Sequence, residues 1–160
     1  DRRFLGRRRV VALGSFHSIC HSLGYDNHFG VGFFQNGLVL LVEDNSLNQY
    51  VASRMLENAG LSPVIVADVA SAIKELQEQT FDLVLLDLGL PDGDGRTVAR
   101  WMRSRNIHTA VVAVTAAAFE EEKQSALEAG MNDFLTKPIE QKSLRSVLKK
   151  YLLHLREPDA

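Results

Sequence analysis

The stretch "DLVLLDLGLPDGDG", residues 82 to 95, decides how the chain is read. Leu83, Val84, Leu85 and Leu86, with Leu88 just beyond, enclose a single carboxylate, Asp87. A short apolar run closed by turn residues is consistent with a buried strand. Burying a carboxylate without a partner is costly, so Asp87 must be paired, metal-bound or placed at an edge that water reaches. Pro91, Gly93 and Gly95 follow at once and mark a tight loop.

Outward from this stretch, apolar runs and amphipathic stretches alternate, the pattern of a parallel sheet covered by helices. Strands are expected at 38–42, 64–67, 82–86, 110–114 and 133–135. The first helix opens with Ser46 and Gln49 at capping-box spacing. It continues through Val51, Met55, Leu56 and Ala59 to a stop at Gly60. Further helices are expected at 69–79, 95–104 and 119–129, the last of these stopped by Gly130. The final helix starts at Glu140 and carries Leu144, Val147, Leu148, Tyr151, Leu152 and Leu155 on one face. No internal repeat or low-complexity tract interrupts the five βα units.

The chain divides near residue 37. Residues 1–36 carry Arg2, Arg3, Arg7, Arg8 and Arg9 against Asp1 and Asp26, a balance of +3. They show no sustained period and read as a linker, the remnant of an upstream domain or an artificial extension. His17, Cys20, His21 and His28 lie close together there, but their spacing fits no zinc pattern. The net charge of −2 leaves the main body at −5, which argues against direct nucleic-acid binding. Apolar content of 46% and charged content of 24% are those of a globular domain, and no apolar run suits a membrane helix. The lone Cys20 forms no internal disulfide, which favours a reducing, cytoplasmic setting.

In open parallel α/β sheets, ligands bind beyond the carboxyl ends of the strands, where strand order reverses. Those ends here hold Glu43 and Asp44, then Asp87, then Thr115, then Thr136, Lys137 and Pro138. Three carboxylates on one rim repel unless a cation joins them, and hard oxygen ligands with room for water suit Mg²⁺. Lys137 and Thr115 supply a charge and a hydrogen bond of the kind a phosphoryl group takes. A carboxylate is ordinarily ionised at neutral pH and needs no general base to attack phosphorus. Asp87 thus reads as a nucleophile at an open rim, with the following glycines allowing the loop close to a metal.

Residues 38–155 resemble the receiver domain of two-component response regulators. The ordered pieces are "LLVEDN" (40–45), "LLDLGLPDGDG" (85–95), "VTA" (114–116) and "GMNDFLTKPI" (130–139). "VEDNSLNQ" (42–49) further resembles receivers fused to hybrid sensor histidine kinases. The resemblance implies an α/β, doubly wound, flavodoxin-like fold with five helices and strand order 2-1-3-4-5. It implies a phosphoryl group passing to Asp87 from the histidine of a kinase or a histidine-phosphotransfer domain. Asp44 and Asp87 would bind Mg²⁺ directly, Glu43 mainly through water, and Gly89 through its backbone carbonyl. Thr115 and Lys137 would hold phosphoryl oxygens, Phe134 would be the aromatic switch, and the Lys137–Pro138 bond would be cis.

Domain boundaries follow: 37–156 for the receiver and 157–160 for a tail, without a membrane contact of its own. The chain is either a single-domain regulator or a receiver excised from a larger protein; "VEDNSLNQ" favours the second, with a hybrid kinase as parent, and the domain is expected to assist its own phosphorylation. Two other classes stay open. An aspartate-nucleophile Mg²⁺ phosphatase usually carries a second aspartate two residues on, where this chain has Gly89. A pseudo-receiver binds partners without phosphorylation, against which the complete set of acids, Thr115 and Lys137 argues. Leu47, Val51, Pro138 and Ile139 are the expected docking surface. Gly89 and Ala117 flank the approach of hydrolytic water in the family, and neither offers it a polar side chain. Asp92 and Asp94 read as turn residues, Glu120, Glu121 and Glu122 as a solvated first turn, and Trp101 and Tyr151 as packing residues. Taken alone, Phe134 also reads as core.

Overall fold

The computed structural model describes residue 34 and residues 37–117 and 119–153. The arginine-rich start, the His17–His28 group, Leu155 and the tail 157–160 lie outside the described residues. Five strands, β1 (Leu38–Val42), β2 (Ser62–Val66), β3 (Leu83–Asp87), β4 (Ala110–Thr115) and β5 (Asp133–Thr136), alternate with five helices. These are α1 (Ser46–Asn58), α2 (Val69–Glu78), α3 (Arg96–Ser104), α4 (Glu120–Glu128) and α5 (Gln141–Tyr151). All pairings in the sheet are parallel, in the order β2-β1-β3-β4-β5. Strand order therefore reverses between β1 and β3, as in a doubly wound, flavodoxin-like fold.

The pleat sends alternate residues to opposite faces. Val39, Leu41, Leu83, Leu85, Val112, Val114 and Leu135 pack against Ala52 and Leu56 of α1 and Leu144, Val147 and Leu148 of α5. Leu40, Val42, Val84, Leu86, Val111 and Ala113 pack on the other face against Ala72 of α2, Val98 and Met102 of α3 and Ala126 of α4. Each leucine removed fully from water contributes about 1.5–3 kcal/mol, so two complete layers hold the sheet. Phe34, ahead of β1, is also buried in the first layer, and its N–H donates to Ala59 O at 2.9 Å.

The start of α1 is set by a different residue from the one its spacing suggests. Asn45, not Ser46, caps α1: its Oδ1 accepts the Asn48 N–H at 3.0 Å. Gln49 turns instead to the Glu43 carbonyl, donating through Nε2 at 2.6 Å. Val51 is 40% exposed and does not join the core. Asp68 caps α2 through Ser71 N–H, and Asp92 adds both its oxygens to the N–H groups of Val69 and Ala70. Asp92 is thus a tie between the loop after β3 and α2, which neighbours in sequence do not reveal. That loop also forms a two-residue antiparallel ladder, Gly89–Leu90 with Gly93–Asp94. Strand β2 begins two residues earlier than its apolar run, at an exposed Ser62, because β1 pairs with it from Leu38 onward.

Candidate functional site

The rim is built by continuing the two faces of the sheet past its carboxyl edge. Asp87 is the last residue of β3 and follows Leu83 and Leu85 on the α1/α5 side; Glu43, one past β1, follows Val39 and Leu41. Both are buried, 6% and 4% exposed. Lys137, one past β5, follows Leu135, and its N–H is fixed to Thr115 O at 2.8 Å. Its ammonium lies 2.6 Å from Asp87 Oδ2 and 3.0 Å from Glu43 Oε2. The Lys137–Pro138 peptide is cis.

The remaining carboxylate oxygens are held by backbone. Asp87 Oδ1 accepts the Gly89 N–H at 3.1 Å, and Glu43 Oε1 accepts the Asn45 N–H at 3.1 Å. Asp44 is exposed beside them, and one oxygen from each of Glu43, Asp44 and Asp87 lies within 4.8 Å of the others. Three carboxylates gather within this distance, and the Lys137 ammonium touches two of them, Asp87 and Glu43. Burial is the largest influence on Lys137 and by itself lowers its pKa. The hydrogen bonds and charges of Asp87 and Glu43 together outweigh it and hold the pKa above the ordinary lysine value.

Thr115 and Phe134 continue the opposite face, toward α4. Thr115 Oγ1 accepts the Ala117 N–H at 3.2 Å. Its proton faces two acceptors, Ala117 O at 3.1 Å and Glu122 Oε2 at 3.3 Å. The Phe134 ring is capped by Lys123, whose Nζ stands 4.4 Å from the ring centre. From sequence Glu122 reads as part of a solvated first turn, and Lys123 carries no signal at all; only the fold shows which strand end α4 approaches.

These groups open on one cleft of about 600 Å³, lined by Glu43, Asp44, Asp87, Gly89, Thr115 and Lys137 and reached also by Arg96 and Glu122. Two glycines of the loop resist a side chain: at Gly95 a Cβ would collide with the Asp87 carbonyl oxygen, and Gly93 holds a positive φ of 157°. At Gly89 no atom lies within 4 Å of an added Cβ. An apolar pocket of about 200 Å³ adjoins the cleft across Lys137, lined by Leu47, Val51, Pro138 and Ile139 among others. Leu47 is 68% exposed beside it. Chemically, the cleft offers a buried carboxylate at a strand end, a cation in contact with it, a hydroxyl donor opposite and a cluster of hard oxygen ligands.

The family model for the response regulator receiver domain matches residues 39–149. The chain is 40% identical over 126 residues to the sensor protein GacS of Pseudomonas syringae pv. syringae, covering 75% of this chain and 14% of that protein. It therefore spans a small part of that relative's length. Among solved structures it is similar to the receiver domain of the sensor histidine kinase PA1611 of Pseudomonas aeruginosa PAO1, at 34% identity and TM-score 0.68. That match covers 73% of this chain and 98% of the other, which holds a magnesium ion coordinated in its active site cleft. It is also similar to the receiver domain of Ssk1 of Saccharomyces cerevisiae, at 27% identity and TM-score 0.72, covering 79% of this chain and 95% of the solved one. That domain was crystallised with the histidine phosphotransfer protein Ypd1.

Proposed function

The chain belongs to the response regulator receiver domain family, and from that premise we propose that Asp87 is its phosphoacceptor. Receivers are the phosphoryl-accepting domains of two-component and phosphorelay systems. One observation carries the residue assignment: Lys137 bridges Asp87 and Glu43 at 2.6 and 3.0 Å, on a cleft that Thr115 and Asp44 share. In the transfer, an Asp87 carboxylate oxygen forms the bond to phosphorus as the phosphorus–nitrogen bond of a phosphohistidine breaks. The electron pair leaves with the imidazole nitrogen, which takes a proton from solvent. Lys137 neutralises a phosphoryl oxygen and Thr115 donates to another, the positioning and charge compensation on which phosphoryl transfer depends.

Carboxylate oxygens gathered within 4.8 Å, from three acids of which Lys137 touches two, suit a hard divalent cation. Asp44, Asp87 and the Gly89 carbonyl would hold Mg²⁺, with Glu43 acting mainly through water. The metal would supply further charge neutralisation at the phosphoryl oxygens. The partner would be a histidine kinase or a histidine-phosphotransfer domain, docked over Leu47, Val51, Pro138 and Ile139 with its histidine reaching the cleft. We take residues 37–156 as the working domain, Phe134 as the residue that reports phosphorylation and the cytoplasm as the setting. "VEDNSLNQ" supports a hybrid histidine kinase as the parent protein.

Intact-mass measurement after incubation with Mg²⁺ and acetyl phosphate tests the reading. Wild-type protein should gain one phosphoryl group and Asp87→Ala none, with both folded. Turnover of acetyl phosphate without accumulation would indicate a phosphatase, and an unmodified wild type a pseudo-receiver.

A further inference from the structure

The Thr115 hydroxyl has one proton, and this protein already employs it. A hydroxyl donates once and accepts through two lone pairs. Oγ1 accepts from Ala117 N–H, and its proton is shared between Ala117 O and the Glu122 carboxylate. A phosphoryl oxygen at Asp87 needs that same proton. Ala117 O is the nearer acceptor at 3.1 Å and belongs to the loop itself, whereas Glu122 Oε2, at 3.3 Å, is the carboxylate that α4 brings to the hydroxyl, and a bond to a carboxylate is the stronger kind. Glu122 is half-buried and reaches the cleft that contains Asp87. It also lines, with Thr115, Lys123 and Phe134, a narrow crevice under α4.

We propose that Glu122 is a positioning residue for phosphorylation: it holds the Thr115 hydroxyl in the resting state and competes with the phosphoryl group for it. The proposal rests on the assignment of Asp87 and Thr115 above. Formation of the phosphorylated arrangement then requires Thr115 to leave Glu122. The first turn of α4 loses its anchor on β4 at that moment. The next residue in that turn is Lys123, which covers the Phe134 ring at 4.4 Å. Release of Glu122 thus loosens the Lys123 contact on the Phe134 ring, one of those that hold it against the sheet. One helical turn links the hydroxyl and the aromatic ring through adjacent residues, and Glu122 sets how readily the link opens.

The charge and the hydrogen bond are separable, because Gln keeps the shape and an acceptor oxygen. Beryllofluoride with Mg²⁺, a mimic of the bound phosphoryl group, is titrated into the full chain and followed by NMR. Wild type, E122Q, E122A, T115V and T115V/E122Q are compared, with melting curves to check folding. E122Q should bind about fivefold more tightly than wild type, the scale of trading a charge-assisted bond for a neutral one. E122A should gain at least as much. On the T115V background the E122Q change should have no effect, because the competitor acts only through the hydroxyl. Unchanged or weaker binding by folded E122Q would overturn the proposal, as would loss of affinity in E122A. An equal gain on T115V would overturn it too, by showing a direct effect of the charge. Failure of wild type both to bind beryllofluoride and to label with acetyl phosphate would instead remove the phosphoacceptor reading, and this proposal with it.

Discussion

Replacing Gly95 by alanine sets backbone conformation against packing, and the structure says which prevails. Gly95 sits at φ −56° and ψ −28°, helical values that any residue adopts. On conformation alone the substitution should stabilise by about 0.4–1 kcal/mol, because the unfolded chain loses freedom. A Cβ at this position, however, would run into the Asp87 carbonyl oxygen, with the carbon of that carbonyl and Leu88 Cα each 3.1 Å away. All of these are backbone atoms at the end of β3, so none can rotate aside and the loop must move as a whole. Overpacking of this kind costs about 1–3 kcal/mol. The same movement pulls on the bond from Gly95 N–H to Leu88 O, 2.9 Å long, whose loss adds about 1 kcal/mol. Less the conformational gain, the net expectation is a loss of about 1–3.5 kcal/mol. Gly89→Ala is the matched control: with no atom within 4 Å of the added Cβ, it should not weaken the fold and should gain up to about 1 kcal/mol. Urea denaturation at fixed slope measures both. Acetyl phosphate labelling should fall further in Gly95→Ala, since the clash is with Asp87, the proposed phosphoacceptor. A Gly95→Ala protein as stable as wild type, or a Gly89→Ala protein equally weakened, would refute the reasoning.

The other expectations are tested more briefly. Asp44→Asn should weaken Mg²⁺ binding and slow labelling, and excess chelator should slow wild type likewise; labelling at full rate in chelator would leave the acid cluster without a metal role. Leu47→Asp should slow transfer from a phosphohistidine protein while sparing acetyl phosphate labelling, and equal loss of both would point to misfolding. Gly89→Asn, tolerated in open space, should shorten the life of the phosphorylated form by offering water a polar side chain; an unchanged or longer decay would show that water placement there does not limit hydrolysis. The raised Lys137 pKa gives a sign as well. Its ion pairs contribute fully below the unfolded lysine value near ~10.4 and are lost as pH rises through the higher folded value. The stability gap between wild type and Lys137→Met should therefore be flat around neutrality and shrink only in strong alkali; a gap that closes near neutral pH would refute the assignment.

Much of the fold is legible because its signals are local. The run from Leu83 to Leu86, the spacing of Leu144, Val147 and Leu148, and the stops at Gly60 and Gly130 each announce an element within a few residues. The apolar positions are legible for the same reason, since burial on both faces demands near-continuous strands. The cap of α1 lies one residue before the one its spacing indicates: Ser46 and Gln49 stand at the right separation, but Gln49 is drawn off by the Glu43 carbonyl. The full extent of β2 escapes a local reading because its first residues, Ser62 and Pro63, are strand only through pairing with Leu38 and Val39.

The inventory of the site, Glu43, Asp44, Asp87, Thr115 and Lys137, follows from sequence alone, because each comes at the end of an apolar strand and the carboxyl ends of parallel strands share one edge. Who touches whom across that edge is a matter of tertiary structure. Glu43, Asp87 and Lys137 continue the face covered by α1 and α5, and Thr115 and Phe134 the face covered by α4. Glu122 reaches Thr115 and Asp92 reaches α2 on that account. Arg103 of α3 likewise binds the carbonyls of Gly130, Ile107 and Thr109 and the side chain of Asn132, which holds Val111 N–H in turn. Such contacts depend on helix placement over a twisted sheet, set by the sum of packing on both faces, and no short window of sequence contains that sum.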